Sequence, residues 1–309
     1  MRHRRRTVDL TTSVGSVMLP NPVLTASGTA GHGAELGCYV DLASLGAVVV
    51  KSLAAEPWPG NPAPRVHETA AGMLNSVGLQ GPGVDAWRRD ELPALVDAGA
   101  RVVASIWGRS VAEFEKAATA LADAPAAVVA VEVNLSCPNV ESRSDVFAHS
   151  AEATAAVVAA TAACGRPRWA KLSPNVTDLP AIARAARDAG AEAVTLVNTV
   201  MGMAIDLETR RPTLTGGGGL SGRAIHPVAV RAVHDVAGAL PGLPIVGVGG
   251  VASAEDAVEL LLAGASAVQV GTATFADPRA AARILAGLTD WCRRHDVETV
   301  HELIGATHA

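Results

Sequence analysis

LASLGAVVV (42–50), LVDAGARVV (95–103), ARDAGAEAVTLV (186–197) and LLAGASAVQV (261–270) carry one local message four times. Each joins an Ala- and Leu-rich, helix-like run to an apolar, Val-rich run through a glycine: Gly46, Gly99, Gly190 or Gly264. A glycine in that place predicts a left-handed helix cap before the chain turns into a strand. Working outward from these hinges, short runs read as buried parallel strands: NPVLTAS from 21, AVVVKS from 47, RVVASI from 101 and AVVAVEVNLS from 127. RWAKLS from 168, AVTLVNT from 193, PIVGVGG from 244 and AVQVGT from 267 complete a set of eight. Alternation with helix-like stretches predicts the α/β class and a single (β/α)8 TIM barrel spanning 1–309. TVDLTTSVGSVMLP (7–20) reads as a short N-terminal hairpin closing the barrel floor.

Composition agrees with this reading. Of 309 residues 49% are hydrophobic but only 3% aromatic, enough for one large core filled by Ala, Val and Leu. A net charge of -5 offers no basic surplus for nucleic acid. MRHRRR (1–6) is basic, yet no apolar run of about 18 residues follows it. It reads as a disordered tail on a cytoplasmic protein with no membrane contact. Cys38, Cys137, Cys164 and Cys292 stand apart, which points to a reducing compartment and no metal site.

In such barrels the C-terminal strand ends and the loops beyond them build the active site. Here those ends carry Ser27, Lys51, Ser105, Asn134, Lys171, Asn198, Gly249 and Gly271. Only three of the 25 basic side chains are lysine. Lys116 falls in a helix-like run, whereas Lys51 and Lys171 end strands, where a compact ammonium can serve chemistry. The glycines of VGVGGVA and VQVGTATF predict a phosphate site at Gly249, Gly250, Gly271 and Thr272. TGGGGLSG contains a literal G-x-G-x-x-G at Gly217, Gly219 and Gly222, but it follows the polar ETRRPTLT rather than a strand, so it is not a dinucleotide fingerprint. NLSCPN places Cys137 just past the fourth strand, as either a small buried hydrophobe or a base. VESRSDVFAHS (140–150) is long enough to form a lid. Asn75, Asn134, Asn139 and Asn198 are four of seven asparagines, and their carboxamides suit a ring with alternating C=O and N–H groups. The residues alone thus imply a phosphate-bearing cofactor, a thiol that can act as base and an amide ring.

Seven motifs carry a family likeness: NSVGLQGPG (75–83), VNLSCPN (133–139), KLSPNVTD (171–178), VNTVMG (197–202), GGLSGRAIHPVA (218–229), VGVGGVASAEDA (246–257) and ASAVQVGTATFADP (265–278). In this order, over about residues 7–280, they resemble the dihydroorotate dehydrogenases, and in detail the class 1 chains of type 1B. The resemblance implies FMN-dependent oxidation of dihydroorotate to orotate in pyrimidine biosynthesis, with Cys137 as base and Lys171 at the flavin. It places FMN against Ser27, Lys51, Ser52, Ser105, Asn134, Lys171, Val197, Gly222, Gly249, Gly250, Gly271 and Thr272. It places the substrate against Lys51, Asn75, Ser76, Val77, Gly78, Leu79, Asn134, Asn198 and Thr199. It further implies a homodimer and an electron-transfer subunit with FAD and a 2Fe-2S cluster, passing electrons to NAD. A dihydropyrimidine dehydrogenase-like flavin enzyme acting on dihydrouracil or dihydrothymine is the alternative. Three positions depart from the family pattern: Ser105 and Gly81 stand where relatives often have asparagine, and His226 where they have lysine.

Overall fold

The computed structural model describes residues 7–136 and 146–308. The eight apolar runs form the strands β1 (Val23–Thr25), β2 (Val48–Val49), β3 (Val102–Ile106), β4 (Val128–Asn134), β5 (Arg168–Lys171), β6 (Ala193–Leu196), β7 (Ile245–Val248) and β8 (Ala267–Val270). All pair in parallel, each with its neighbours in sequence. A Leu24–Ala47 bridge, with Thr25 N–H donating to Ala47 O at 3.2 Å, joins β1 to β2 and closes the barrel.

Four of the helices begin where a side chain satisfies an orphan backbone N–H. Ser110, Ser150, Asp178 and Ser253 each accept from the amide three residues on, and Asp256 completes a capping box with Ser253. Three of the four hinge glycines are left-handed as expected: Gly99 at φ +67, Gly190 at φ +96 and Gly264 at φ +122. Gly46 corrects the fourth expectation. Its φ is ordinary, but a Cβ would lie 2.4 Å from Asn21 O, so glycine is required there by close backbone approach. The first crossover also lacks an α-helix and uses two short 3-10 turns, Glu35–Cys38 and Leu42–Ser44.

The barrel interior is layered. At the floor, Thr12–Val14 and Val17–Leu19 form the expected antiparallel hairpin. Its Val14, Val17 and Leu19 pack with Leu24, Val49, Val103, Trp169 and Val246 into one buried cluster. Each fully buried aliphatic side chain there contributes roughly 1.5–3 kcal/mol. A polar layer lies above: Glu132, Thr195 and Gln269 are wholly buried, and both Thr195 and Gln269 donate to the Glu132 carboxylate. The top layer opens into a cavity.

Four antiparallel strands beside that mouth form a second sheet, in the order Val200–Gly202, Gly218–Ser221, Gly72–Asn75, Val66–Thr69. The glycine run therefore enters a strand, Gly218–Ser221. At Gly219 a Cβ would sit 2.0 Å from Thr199 Oγ1, so only glycine lets the strand pass. The G-x-G-x-x-G is still no dinucleotide turn, because its last glycines lie in and just beyond an antiparallel strand.

Candidate active site

A cavity of about 950 Å³ opens at the C-terminal ends of the strands, within the usual range for ligand sites. The strand ends contribute Ser27, Lys51, Ser52, Asn134, Lys171, Val197 and Asn198, and the second sheet and its loops add Asn75, Ser76, Val77, Gly78, Leu79, Thr199 and Gly222. Gly249, Gly250, Gly271 and Thr272 line it from the β7 and β8 loops. Among the described residues the structure thus brings together every predicted site residue except Ser105. That side chain is fully buried behind the wall, its Oγ 2.9 Å from Ser52 Oγ. Cys137, Asn139 and most of the predicted lid fall outside the described residues. The far end of that stretch is anchored: Phe147 is buried edge-on against Phe114, with ring centroids 5.5 Å apart.

A chain of polar groups crosses the cavity floor. Ser27 Oγ lies 3.1 Å from Ser52 Oγ. Asn134 Nδ2 donates to Ser52 Oγ at 3.2 Å, and Asn198 Nδ2 donates to Asn134 Oδ1 at 3.0 Å. Asn75, from the second sheet, donates to Gly219 O at 3.1 Å. These bonds fix the orientations of the three carboxamides. Two of the three lysines line the same space, whereas Lys116 is exposed and paired with Glu56.

The β7 loop glycines have two reasons to be glycine. Gly249 and Gly250 are left-handed, and a Cβ would lie 2.6 Å from Ala229 Cβ and 2.6 Å from His226 Cβ respectively. Packing alone therefore demands them. Gly271 differs: its φ is ordinary, and a Cβ would meet Ala26 Cβ at 3.3 Å. His226, one of the three departures, supports this loop from behind. Its Nδ1 lies 2.8 Å from Gly249 O and its Nε2 3.1 Å from Glu259 Oε2. Gly81, the second, faces His32, whose Nε2 is buried without a hydrogen-bond partner. Burial, reinforced by the nearby Lys51 ammonium, holds His32 below the ordinary histidine range.

Several contributors escaped the sequence reading. Ser221 accepts from Thr272 Oγ1 at 2.8 Å and links the second sheet to the β8 loop. Asn175 donates to Thr199 O at 3.0 Å and accepts from Met201 N at 2.9 Å, pinning the strand that follows β6. Glu132 and Gln269, beneath Lys171, did leave a signal: each is a lone polar side chain inside an apolar strand run.

The sequence profile of the dihydroorotate dehydrogenase family matches residues 9–291. The chain belongs to the dihydroorotate dehydrogenase family. Among its relatives, the dihydroorotate dehydrogenase B (NAD(+)) catalytic subunit of Alkaliphilus oremlandii is 47% identical over 294 residues, covering 94% of this chain and 96% of that protein. Proteins of the same description from a Geobacter species and from Desulforudis audaxviator are 47% and 49% identical, each covering 96% of this chain and 98% and 96% of their own lengths. The family likeness read from the motifs is thereby established along nearly the whole chain, the strands that build the cavity included.

Proposed function

We propose that this chain oxidises dihydroorotate to orotate with bound FMN, as the catalytic subunit of a type B dihydroorotate dehydrogenase. The observation that carries the reading is the cavity in which two lysines, four asparagines and two glycine loops converge, in a member of this family. The donor set fits FMN. The β7 and β8 loops can surround a phosphate, and hydroxyls from Ser27, Ser52 and Thr272 with the Lys171 ammonium can meet the polar parts of the molecule. When bound, FMN supplies the two-electron acceptor that no side chain offers.

The chain's own residues do the rest. Lys51 gives the substrate carboxylate a cationic partner, which dihydrouracil would leave unused. Asn75, Asn134 and Asn198 hold the amide ring through their carboxamides, with Ser76, Val77, Gly78, Leu79 and Thr199 as walls. Cys137 takes the proton from C5 as the C5–H bond breaks, and its electron pair would form the C5=C6 bond as C6 gives up a hydride to the two-electron acceptor; the cysteine's role rests on the NLSCPN motif. The second sheet, whose Gly72, Met73, Asn75 and Ser221 line the cavity, keeps water from the reacting carbons.

A homodimer in the cytoplasm, joined by a subunit carrying FAD and a 2Fe-2S cluster that delivers electrons to NAD, completes the proposal. It is supported by the catalytic-subunit names of the relatives, and among the described residues no helix is long and apolar enough to cross a membrane. The test is steady-state turnover by the purified chain with dihydroorotate, dihydrouracil and dihydrothymine, offered an artificial acceptor, fumarate and NAD in turn. Yellow protein that uses dihydroorotate with the artificial acceptor but hardly with NAD is expected. Colourless protein, or preference for dihydrouracil, refutes the assignment, and rapid turnover with fumarate refutes the NAD branch.

A further inference from the structure

One buried carboxylate has no part in the reaction as set out above. Glu132 is fully buried in β4, whose run VVAVEVN is otherwise apolar up to its last residue. Its Oε2 accepts from Gln269 Nε2 at 2.6 Å and from Thr195 Oγ1 at 3.1 Å. Among the described residues its Oε1 has no hydrogen-bond donor, and it faces Lys171 Nζ at 3.5 Å. Gln269 addresses both charges at once: its amide nitrogen donates to the carboxylate, and its Oε1 lies 3.4 Å from Lys171 Nζ. Withdrawing a carboxylate from water costs several kcal/mol, and the layer beneath shows that aliphatic side chains can fill this barrel. Packing therefore gives no reason for the charge. Among the described residues its one charged partner is a lysine that lines the cavity.

We infer that Glu132, oriented by Gln269 and Thr195, is a positioning residue that fixes the Lys171 ammonium at the cavity floor and offsets its charge toward the bound flavin. The inference rests on the FMN reading of the cavity. Reduction places negative charge on a flavin ring, so a lysine without a counter-charge would hold the electrons too firmly. An enzyme that must pass them on needs a lower potential, and Glu132 provides it.

The test is the two-electron midpoint potential of the flavin-loaded chain at pH 7, measured by equilibration with a redox dye. Glu132→Gln keeps the shape and removes the charge. It is expected to shift the reduction equilibrium at least tenfold toward reduced flavin, a rise of about 30 mV. Reoxidation by an artificial acceptor is expected to slow, while KM for dihydroorotate changes less than twofold. Glu132→Asp keeps the charge but withdraws it by one methylene, so it is expected to raise the potential by less. It also carries the test if the glutamine variant does not fold. Flavin-loaded variants at the wild-type potential, altered only in melting temperature, would make Glu132 a purely structural residue and overturn the inference alone. Wild-type chain that binds no flavin overturns the FMN reading and this inference together.

Discussion

Replacing Lys171 by methionine keeps most of the side-chain volume and strands Glu132 without its counter-charge. At 3.5 Å the pair's attraction is about 5 kcal/mol at an effective dielectric constant of ~20. Removing one partner of such a pair costs about 3–5 kcal/mol, because the survivor stays buried and uncompensated. Lys171 is 8% exposed and Glu132 0%, so solvent screening gives little relief. Lys171→Met is therefore expected to destabilise the flavin-free chain by that amount. The double variant Lys171→Met with Glu132→Gln is expected to recover at least ~2 kcal/mol of it, since no charge is left buried. Urea denaturation, followed by circular dichroism and tryptophan fluorescence, measures both, and coincident transitions justify a two-state treatment. With a slope of roughly 3 kcal/mol per molar urea, the single variant's midpoint falls by about 1–1.7 M. A single variant as stable as the double one would refute the claim that Glu132 is a charged, desolvated group paired with Lys171.

Three further outcomes follow from the geometry. At Gly72 a Cβ would lie 1.9 Å from Ser221 O, a backbone clash no rotamer relieves, so Gly72→Ala is expected to part the second sheet and abolish flavin retention while the barrel's circular dichroism survives. Gly242→Ala, with a left-handed φ but nothing within 4 Å, is the control and costs only about 1 kcal/mol. Because the folded state lowers the His32 pKa, stability is intact above the ordinary value of about 6.5 and is lost as pH falls from there toward the folded value. Between pH 7 and 5 the wild-type melting temperature is expected to drop more than that of His32→Gln, and equal slopes would contradict this. Burial raises the thiol pKa of Cys164 and Cys292, whereas Cys38 is exposed, so alkylation of the native chain at neutral pH is expected to mark Cys38 and spare those two, as read by peptide mass spectrometry.

The barrel was legible because parallel strands covered on both faces are written as continuous apolar runs, and because Gly99, Gly190 and Gly264 mark where helices end. The second sheet was not. Its strand Gly218–Ser221 begins with two glycines, and its pairing with Gly72–Asn75 joins segments 144 residues apart, so tertiary contact overrides local preference. The strand-end rule pointed to Ser27, Lys51, Asn134, Lys171, Asn198, Gly249 and Gly271, which line the cavity, and the family motifs pointed to the lining residues on the loop after Asn75. Ser105 shows the limit of that rule: side chains alternate along a strand and follow the barrel's tilt, so a polar residue near a strand end can stand behind the wall instead of on it. Glu132 and Gln269 were visible as isolated polar letters. Nothing in either run alone says that the two meet across the barrel.

The floor hairpin has a bearing on how the chain comes off the ribosome. Thr12 Oγ1 donates to Ser266 O at 2.9 Å, Asp9 N to Glu298 O at 2.9 Å and Val300 N to Asp9 O at 2.9 Å, so residues made before the barrel's first strand are bonded to residues made with or after its eighth. Strand β1 likewise waits for β8. Until those late segments emerge, Val14, Val17 and Leu19 have only part of their packing, and the nascent chain carries an open sheet with unpaired edges. Such long-range closure slows folding and lengthens the interval in which aggregation or proteolysis competes with it. Substitutions in this hairpin are therefore expected to reduce soluble yield out of proportion to their effect on the finished protein.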